Sequence, residues 1–246
     1  VITLTSANYC KIKDLQIDGN KATYDSSNNI GIRLTSGSNN NTVTGNSCNG
    51  NYYGIVLTSG SNNNTVTGNT CNNNINGIYL NSSSTNTVTG NSCNNNNIGI
   101  FLNSGSNNNT VTGNACNNNT SYGIYLISSS NNNTVTGNSC NGNDYGIFLN
   151  SSSNNNTVTG NTCNNNNNGI RLTSSSTNTV TGNTCIRGTG LPDDYTASQY
   201  AIILTGATNN YNLIATNNCM GKAVVVGGGT GNSVYGNKWD AGNDLE

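Results

Sequence analysis

Apolar residues along this chain are sparse, and their spacing is nearly constant. A lone valine sits between two threonines in the segment TVTGN-x-C, which starts at Thr42, Thr65, Thr87, Thr110, Thr134, Thr157 and Thr179. The cysteines that close it, Cys48, Cys71, Cys93, Cys116, Cys140, Cys163 and Cys185, follow one another in steps of 23, 22, 23, 24, 23 and 22 residues. A second segment, GIxL, keeps the same beat at Gly31, Gly54, Gly77, Gly99, Gly123, Gly146 and Gly169. Within each segment the alternation is that of a strand, in which side chains two apart share a face. Val66 therefore points inward with Thr65 and Thr67 outward. Ile78 and Leu80 point inward with Tyr79 outward.

A repeat thus holds three apolar stations, the valine, the cysteine and the Ile/Leu pair, separated by Asn, Gly and Ser turns. No repeat can bury its apolar side alone, so repeats must stack. The expected fold is all-β. It is a single-domain right-handed parallel β-helix of about ten coils, each of 22–24 residues with three short strands. At about 4.8 Å per coil this makes a rod of roughly 45–50 Å. The domain is expected to span 1–246, with regular coils over 30–185 and degenerate coils with a cap over 186–246. Ile2, Leu4, Ile12 and Ile17 supply a front coil; Ile214 and Cys219 supply one rear coil, and Val224, Val226, Val234 and Trp239 another. Two excursions break the rhythm, Lys21–Asn29 and Ile186–Gln199.

Composition narrows the partners. Only 7% of residues are charged, the formal net charge is -1 and there is no histidine. Nothing here attracts a polyanion, so nucleic acid and anionic membrane surfaces are not expected partners. No apolar run approaches the roughly 18 residues of a membrane helix, so no membrane insertion is expected either. No cofactor is implied.

Stacking turns each repeat position into a column, and function is to be sought in columns. The outward threonines form two files. The first holds Thr42, Thr65, Thr87, Thr110, Thr134, Thr157 and Thr179, and the second Thr44, Thr67, Thr89, Thr112, Thr136, Thr159 and Thr181. Their mesh is about 6.7 by 4.8 Å, a flat uncharged lattice of methyls and hydroxyls. Threonine is also simply a good solvent-facing strand residue. The outward position of GIxL runs Arg33, Val56, Tyr79, Phe101, Tyr125, Phe148, Arg171. Such a file is a platform for sugar rings, a partner contact or self-association surface, or a stabilising stack. The cysteine column reads as core packing, because stacked Cβ atoms about 4.8 Å apart exceed the disulfide norm of roughly 3.5–4.5 Å. No metal is expected there, since zinc needs four converging ligands. The asparagines of TVTGN, Asn46 to Asn183, read as a structural ladder. Asp193 and Asp194, with Arg187 and Tyr195 nearby, are weak catalytic candidates, because adjacent residues in an extended segment point apart.

The units NNNTVTGN-x-C-NNN and YGIxLxSSS resemble repeats of the pectate-lyase-like β-helix superfamily, and most of all the NosD-type repeats, also called carbohydrate-binding and sugar-hydrolase repeats. The resemblance covers nearly the whole chain. It implies the right-handed fold but no one activity, because the superfamily spans lyases, hydrolases, tailspikes, surface proteins and copper-site assembly factors. The calcium-binding acids of pectate lyases and the aspartate–histidine set of polygalacturonases have no counterpart here. The copper association of NosD-type proteins does not carry over either, for want of a His/Met cluster. The threonine files resemble the Thr-x-Thr arrays of β-solenoid antifreeze proteins. The expectation is a non-catalytic binding protein, extracellular or at the cell surface. Ice, through the threonines, is its first ligand. A polysaccharide, through Tyr79, Phe101, Tyr125 and Phe148, is the alternative. A degenerate carbohydrate-active enzyme at Asp193 and Asp194 is the third reading.

Overall fold

The computed structural model describes residues 1–21, 23, 26, 28–240 and 243–245, with the side chains of 240 and 243–245 left aside. Part of the first excursion therefore lies outside the described residues. The chain winds as a right-handed parallel β-helix. Two ten-stranded parallel sheets form two of its sides. One takes a TVT strand or its equivalent from every coil, from Lys11–Lys13 through Thr110–Thr112 to Ser233–Tyr235. The other takes the GIxL strands, from Ile2–Thr5 through Ile98–Asn103 to Val225–Val226.

The third side, at the cysteine station, is thinner. Gln16–Asp18 and Ser47–Asn49 pair as strands there. Beyond them the pairing shrinks to single bridges, Ser47 to Thr70 to Ser92 to Ala115 and onward to Lys238. The sequence explains this narrowing. The cysteine is followed at once by asparagines, and Asn73, Asn95, Asn118 and Asn165 adopt left-handed backbone angles that end the strand.

Coil-to-coil register is strict, so the columns are real. Thr87 pairs with Thr65 and Thr110, Val88 with Val66 and Val111. Phe101 pairs with Tyr79 and Tyr125, and Ile100 with Ile78 and Ile124. The interior holds the Val, Ile, Leu and Cys columns as one apolar cluster, and Ile100, Val111 and Cys116 have no exposed surface at all. At the rear, Val226, expected inward, is 44% exposed because no further strand follows Val225–Val226 in its sheet. An antiparallel pair, Asn237–Asp240 with Asn243–Leu245, closes this end, and Trp239 packs against the core.

Corners are held by buried asparagine ladders. The TVTGN ladder is the expected one. At its centre the Asn114 backbone N–H and side-chain Nδ2 both donate to Asn138 Oδ1 at 2.9 Å. Nδ2 also donates to Val88 O at 2.9 Å, while Oδ1 accepts from Asn91 N and Nδ2. Each amide thus satisfies turn groups in the coils on both sides, which a buried turn requires. Two further ladders add to it, one from Asn41 through Asn109 to Asn212 and one from Asn51 through Asn96 to Asn166. The sequence pattern does not single these out from the surrounding asparagines.

Candidate functional site

The aromatic column is the most elaborated surface of the rod. Tyr79, Phe101, Tyr125 and Phe148 stack with ring centroids 4.9, 5.3 and 5.2 Å apart and interplanar angles of 23°, 5° and 9°. A second column joins it from the residue before the GIxL glycine. Tyr53 stacks on Tyr79 at 5.4 Å, and Tyr122 and Tyr145 pack on Tyr125 and Phe148. The motif YGIxL carried this signal, in Tyr53-Gly54, Tyr122-Gly123 and Tyr145-Gly146. Offset stacking at these distances contributes about 0.5–1.5 kcal/mol per pair beyond area burial.

Stacking also alters the expected exposure. Rings stacked along the rod share their faces with neighbours, so Tyr79, Phe101 and Tyr125 are only half-exposed and Phe148 retains 7% of its surface. What the ladder offers solvent is ring edges and phenol groups. Asn103 Nδ2 donates to Tyr79 OH at 3.1 Å and Asn150 Nδ2 to Tyr125 OH at 3.3 Å. Burial pushes the Tyr122 and Tyr125 phenols above their ordinary value, so they stay neutral donors. At one end Arg171 closes the stack, its guanidinium 5.5 Å from the Phe148 ring centre and 5.7 Å from that of Tyr145.

On the TVT sheet the threonines stand in register in two files, with a fully buried valine between each pair. Thr42, Thr65, Thr87, Thr110, Thr134, Thr157 and Thr179 make the first file. Thr44, Thr67, Thr89, Thr112, Thr136, Thr159 and Thr181 make the second. None of them stands free in solvent as an outward side chain of a lone strand would. All are half-buried, because the same threonine in the coil above and below covers its flanks. Some of their hydroxyls are also turned on each other: Thr159 Oγ1 and Thr181 Oγ1 lie 3.3 Å apart, a hydrogen bond within the second file. Lys11 and Lys13 extend the files at one end, Leu213 and Ala215 at the other, so the uncharged lattice is confined to seven coils.

The acid pair lies on the second excursion, where Pro192–Asp194 forms one 3-10 turn. The turn does not make a dyad. Asp194 is committed to its own loop, accepting from the Thr189 N–H at 2.8 Å, the Thr189 hydroxyl at 2.9 Å and the Leu191 N–H at 3.0 Å. These donors, Leu191 first, hold its carboxyl below the usual range, the opposite of what a general acid needs. The expected helpers face elsewhere. Tyr195 is buried in the core with its OH on Cys185 O at 3.2 Å, and Arg187 Nη1 donates to Asn166 O at 3.1 Å. Asp193 is exposed.

The NosD family, described as "Periplasmic copper-binding protein (NosD)", matches residues 2–143 and 106–244. The chain belongs to the NosD family. No curated protein matches this NosD-family chain. Among solved structures it is similar to the A-module of the mannuronan C-5 epimerase AlgE6 of Azotobacter vinelandii, at 15% identity and a TM-score of 0.71, over 98% of this chain and 76% of that one. It is similar to the periplasmic alginate epimerase AlgG, at 18% identity and a TM-score of 0.67, over 95% of this chain and 61% of that one. The Dettilon tailspike protein gp208 matches at 14% identity and a TM-score of 0.65, over 91% and 60%. At such identities the likeness concerns the β-helix fold, and the chain spans only about three fifths of the last two proteins.

The family description implies copper, and the residues present do not fit it. The sequence has no histidine and one methionine. Among the described residues no group of three or more His, Cys, Asp or Glu converges as a metal site. The cysteines stand in line along the rod rather than around a point, and all are free. Burial pushes the thiols of Cys71, Cys116, Cys140 and Cys163 well above an ordinary thiol, so they hold their protons where metal binding needs thiolates. Alkylation in denaturant followed by mass spectrometry should find the thiols of Cys48, Cys71, Cys93, Cys116, Cys140, Cys163 and Cys185 all reduced. Cys93→Ala should cost about 1–2 kcal/mol, the loss of one small buried group. Stoichiometric bridges, or a metal that protects the thiols, would contradict this packing role.

Proposed function

We propose that this chain binds an extended polysaccharide along its aromatic sheet, outside the cytoplasm, without catalysing a reaction on it. One observation carries the reading: the continuous stripe from Tyr53 to Arg171, in which ring edges and phenol groups alternate with side-chain amides and hydroxyls at coil spacing. A sugar chain presents the same mixture, apolar C–H faces rimmed by hydroxyls, and one pyranose is close to one coil in length. Few charges and many weak, repeated contacts suit a long ligand whose sites add along the rod. Two of the similar structures are epimerases of mannuronan or alginate, which supports the same reading. The family is described as periplasmic, and so is the similar epimerase AlgG, which supports a periplasmic or extracellular place. Among the described residues no helix is long and apolar enough to cross a membrane.

Electrophoresis through gels containing acidic or neutral polysaccharides tests the reading. The chain should be retarded by at least one polymer. Phe101→Ser with Tyr125→Ser should weaken retardation roughly tenfold or more, because it removes two central rings. The fold should survive, since both side chains lie outside the Ile/Leu core. Free migration in every gel, or equal retardation of the double variant, would refute it.

The in-register threonine lattice favours ice as a second reading. The sugar-active neighbours move that reading behind the polysaccharide. Thermal hysteresis of the unmodified protein decides it. Shaped, arrested crystals, lost in Thr112→Tyr and kept in Thr112→Val, would restore ice to first place. Crystals growing unshaped leave the threonines as ordinary strand residues.

A further inference from the structure

The aromatic ladder has two ends, and they differ. At the Arg171 end every guanidinium nitrogen is engaged: Nε donates to Thr173 Oγ1 at 3.2 Å, Nη1 to Tyr145 OH at 3.4 Å and Nη2 to Thr205 Oγ1 at 3.2 Å. The guanidinium also covers Phe148 and Tyr145, so no ring face is left there. The column continues this closure, because Arg171 pairs with Ile203, which is buried.

At the other end the column reads Thr3, Arg33, Val56, Tyr79. Val56 interrupts the rings with a short side chain, and a notch of ≈ 290 Å³ opens above it. Arg33, Tyr53, Thr58, Tyr79 and Asn81 line it, with the exposed Asn28 at its rim. Arg33 differs from Arg171 in its partners. Its Nε is buried without a hydrogen-bond partner, and among the described residues no carboxylate or ring engages its guanidinium. Across the notch, Asn81 Oδ1 is likewise buried and unpartnered. An unpartnered donor and an unpartnered acceptor on residues that line one concavity, at the Tyr53 end of the stack, mark it as a place for a ligand.

Resting on the polysaccharide reading, we propose that this notch is an end subsite for an acidic sugar, a uronate unit of the bound chain. The carboxylate would lie on the Arg33 guanidinium, whose planar fork suits it. A ring hydroxyl would donate to Asn81 Oδ1. The pyranose would rest against the sides of Tyr53 and Tyr79 that line the notch. The subsite would fix where an acidic chain begins on the stripe, while the rest of the ladder holds it without reading charge.

The test titrates the full chain with oligogalacturonates and with neutral cello-oligosaccharides of equal length, followed calorimetrically at low and moderate salt. The acidic series should bind more tightly, and its advantage should shrink with salt. Arg33→Gln keeps the stem and a donor but removes the charge, and should lower affinity for the acidic series roughly tenfold, about 1.4 kcal/mol, with neutral oligomers unaffected. Val56→Phe extends the ladder as Phe101 does, so folding should persist, and it should abolish oligomer binding by filling the notch. Equal binding of acidic and neutral oligomers would overturn the subsite. So would unchanged uronate binding by both variants. Retardation by polysaccharide gels without any oligomer binding would overturn it as well, while leaving the longer stripe as the binding surface.

Discussion

Gly99→Val should prevent this chain from folding to its normal stability, although it adds only an apolar side chain to an apolar interior. A Cβ at Gly99 would lie 2.6 Å from Gly123 O and 3.0 Å from both Asn119 Nδ2 and Cys116 Cβ. The first of these is the backbone of the next coil, which cannot retreat without opening the sheet above it. The backbone angle at Gly99 is an ordinary one, so close approach alone demands glycine there. A loss of about 3–5 kcal/mol follows, the upper range for a single overpacked site. Gly113 provides the contrast within the same coil. Its φ is +62° and a Cβ would meet nothing within 4 Å, so Gly113→Ala should cost only the left-handed backbone penalty of about 1–2 kcal/mol. Urea midpoints of the two variants measure the difference. Similar losses would mean that the coils are spaced more loosely than the structure has them.

That glycine column marks what the sequence disclosed and what it withheld. The beat of GIxL was visible, and so was the inward course of Ile100 and Leu102, because a period of two leaves no other arrangement once one face is buried. Why glycine stands second in each of these strands was not visible, since it depends on a carbonyl about 23 residues away, in the next coil. The cysteines announced an inward station but not that their side of the coil would shrink to single bridges. Asparagine runs such as Asn94-Asn95-Asn96-Asn97 looked like undifferentiated turns. In the structure Asn95 takes the left-handed angle, while Asn96 joins a buried ladder.

The candidate site was legible to the same degree. Register alone put Tyr79, Phe101, Tyr125 and Phe148 in one file, and the structure keeps them there. Their mutual stacking was not legible, because it depends on ring orientation and on the second column of Tyr53, Tyr122 and Tyr145. That stacking decides what the face can do. It turns an apolar patch into a ribbon of edges and hydroxyls, with a notch where the short Val56 interrupts the file. The acid pair shows the reverse. Asp193 and Asp194 stood out in a chain with few charges, yet Asp194 serves the turn that carries it, with Tyr195 anchoring that turn in the core.

Asn114→Asp should give a protein whose stability depends on pH in a way the unmodified chain's does not. The change exchanges one amide NH2 for an oxygen at a site 1% exposed. The new oxygen would face Val88 O and Asn138 Oδ1, both acceptors that now receive the Asn114 Nδ2 hydrogens. Only the bonds from Asn91 would remain attractive to a carboxylate. Burial without a cation and two opposed oxygens all disfavour the charged form, so the folded-state pKa must rise above the unfolded value of about 3.9. The sign follows from linkage. Below about pH 4 the group is neutral in both states and the charge penalty is absent. As pH rises toward the folded pKa the unfolded chain releases the proton first, and stability falls until both states are ionised. At neutral pH the loss should reach about 3–4 kcal/mol, a buried charge plus two unpaired acceptors. At pH 3 a residue of about 1 kcal/mol should persist, because one carboxyl O–H cannot serve both acceptors. Thermal midpoints across pH 3 to 8, read against the unmodified chain, test this course. A deficit that does not change with pH, or no deficit at pH 7, would show that the asparagine ladder is not the closed, mutually paired network that holds the coils together.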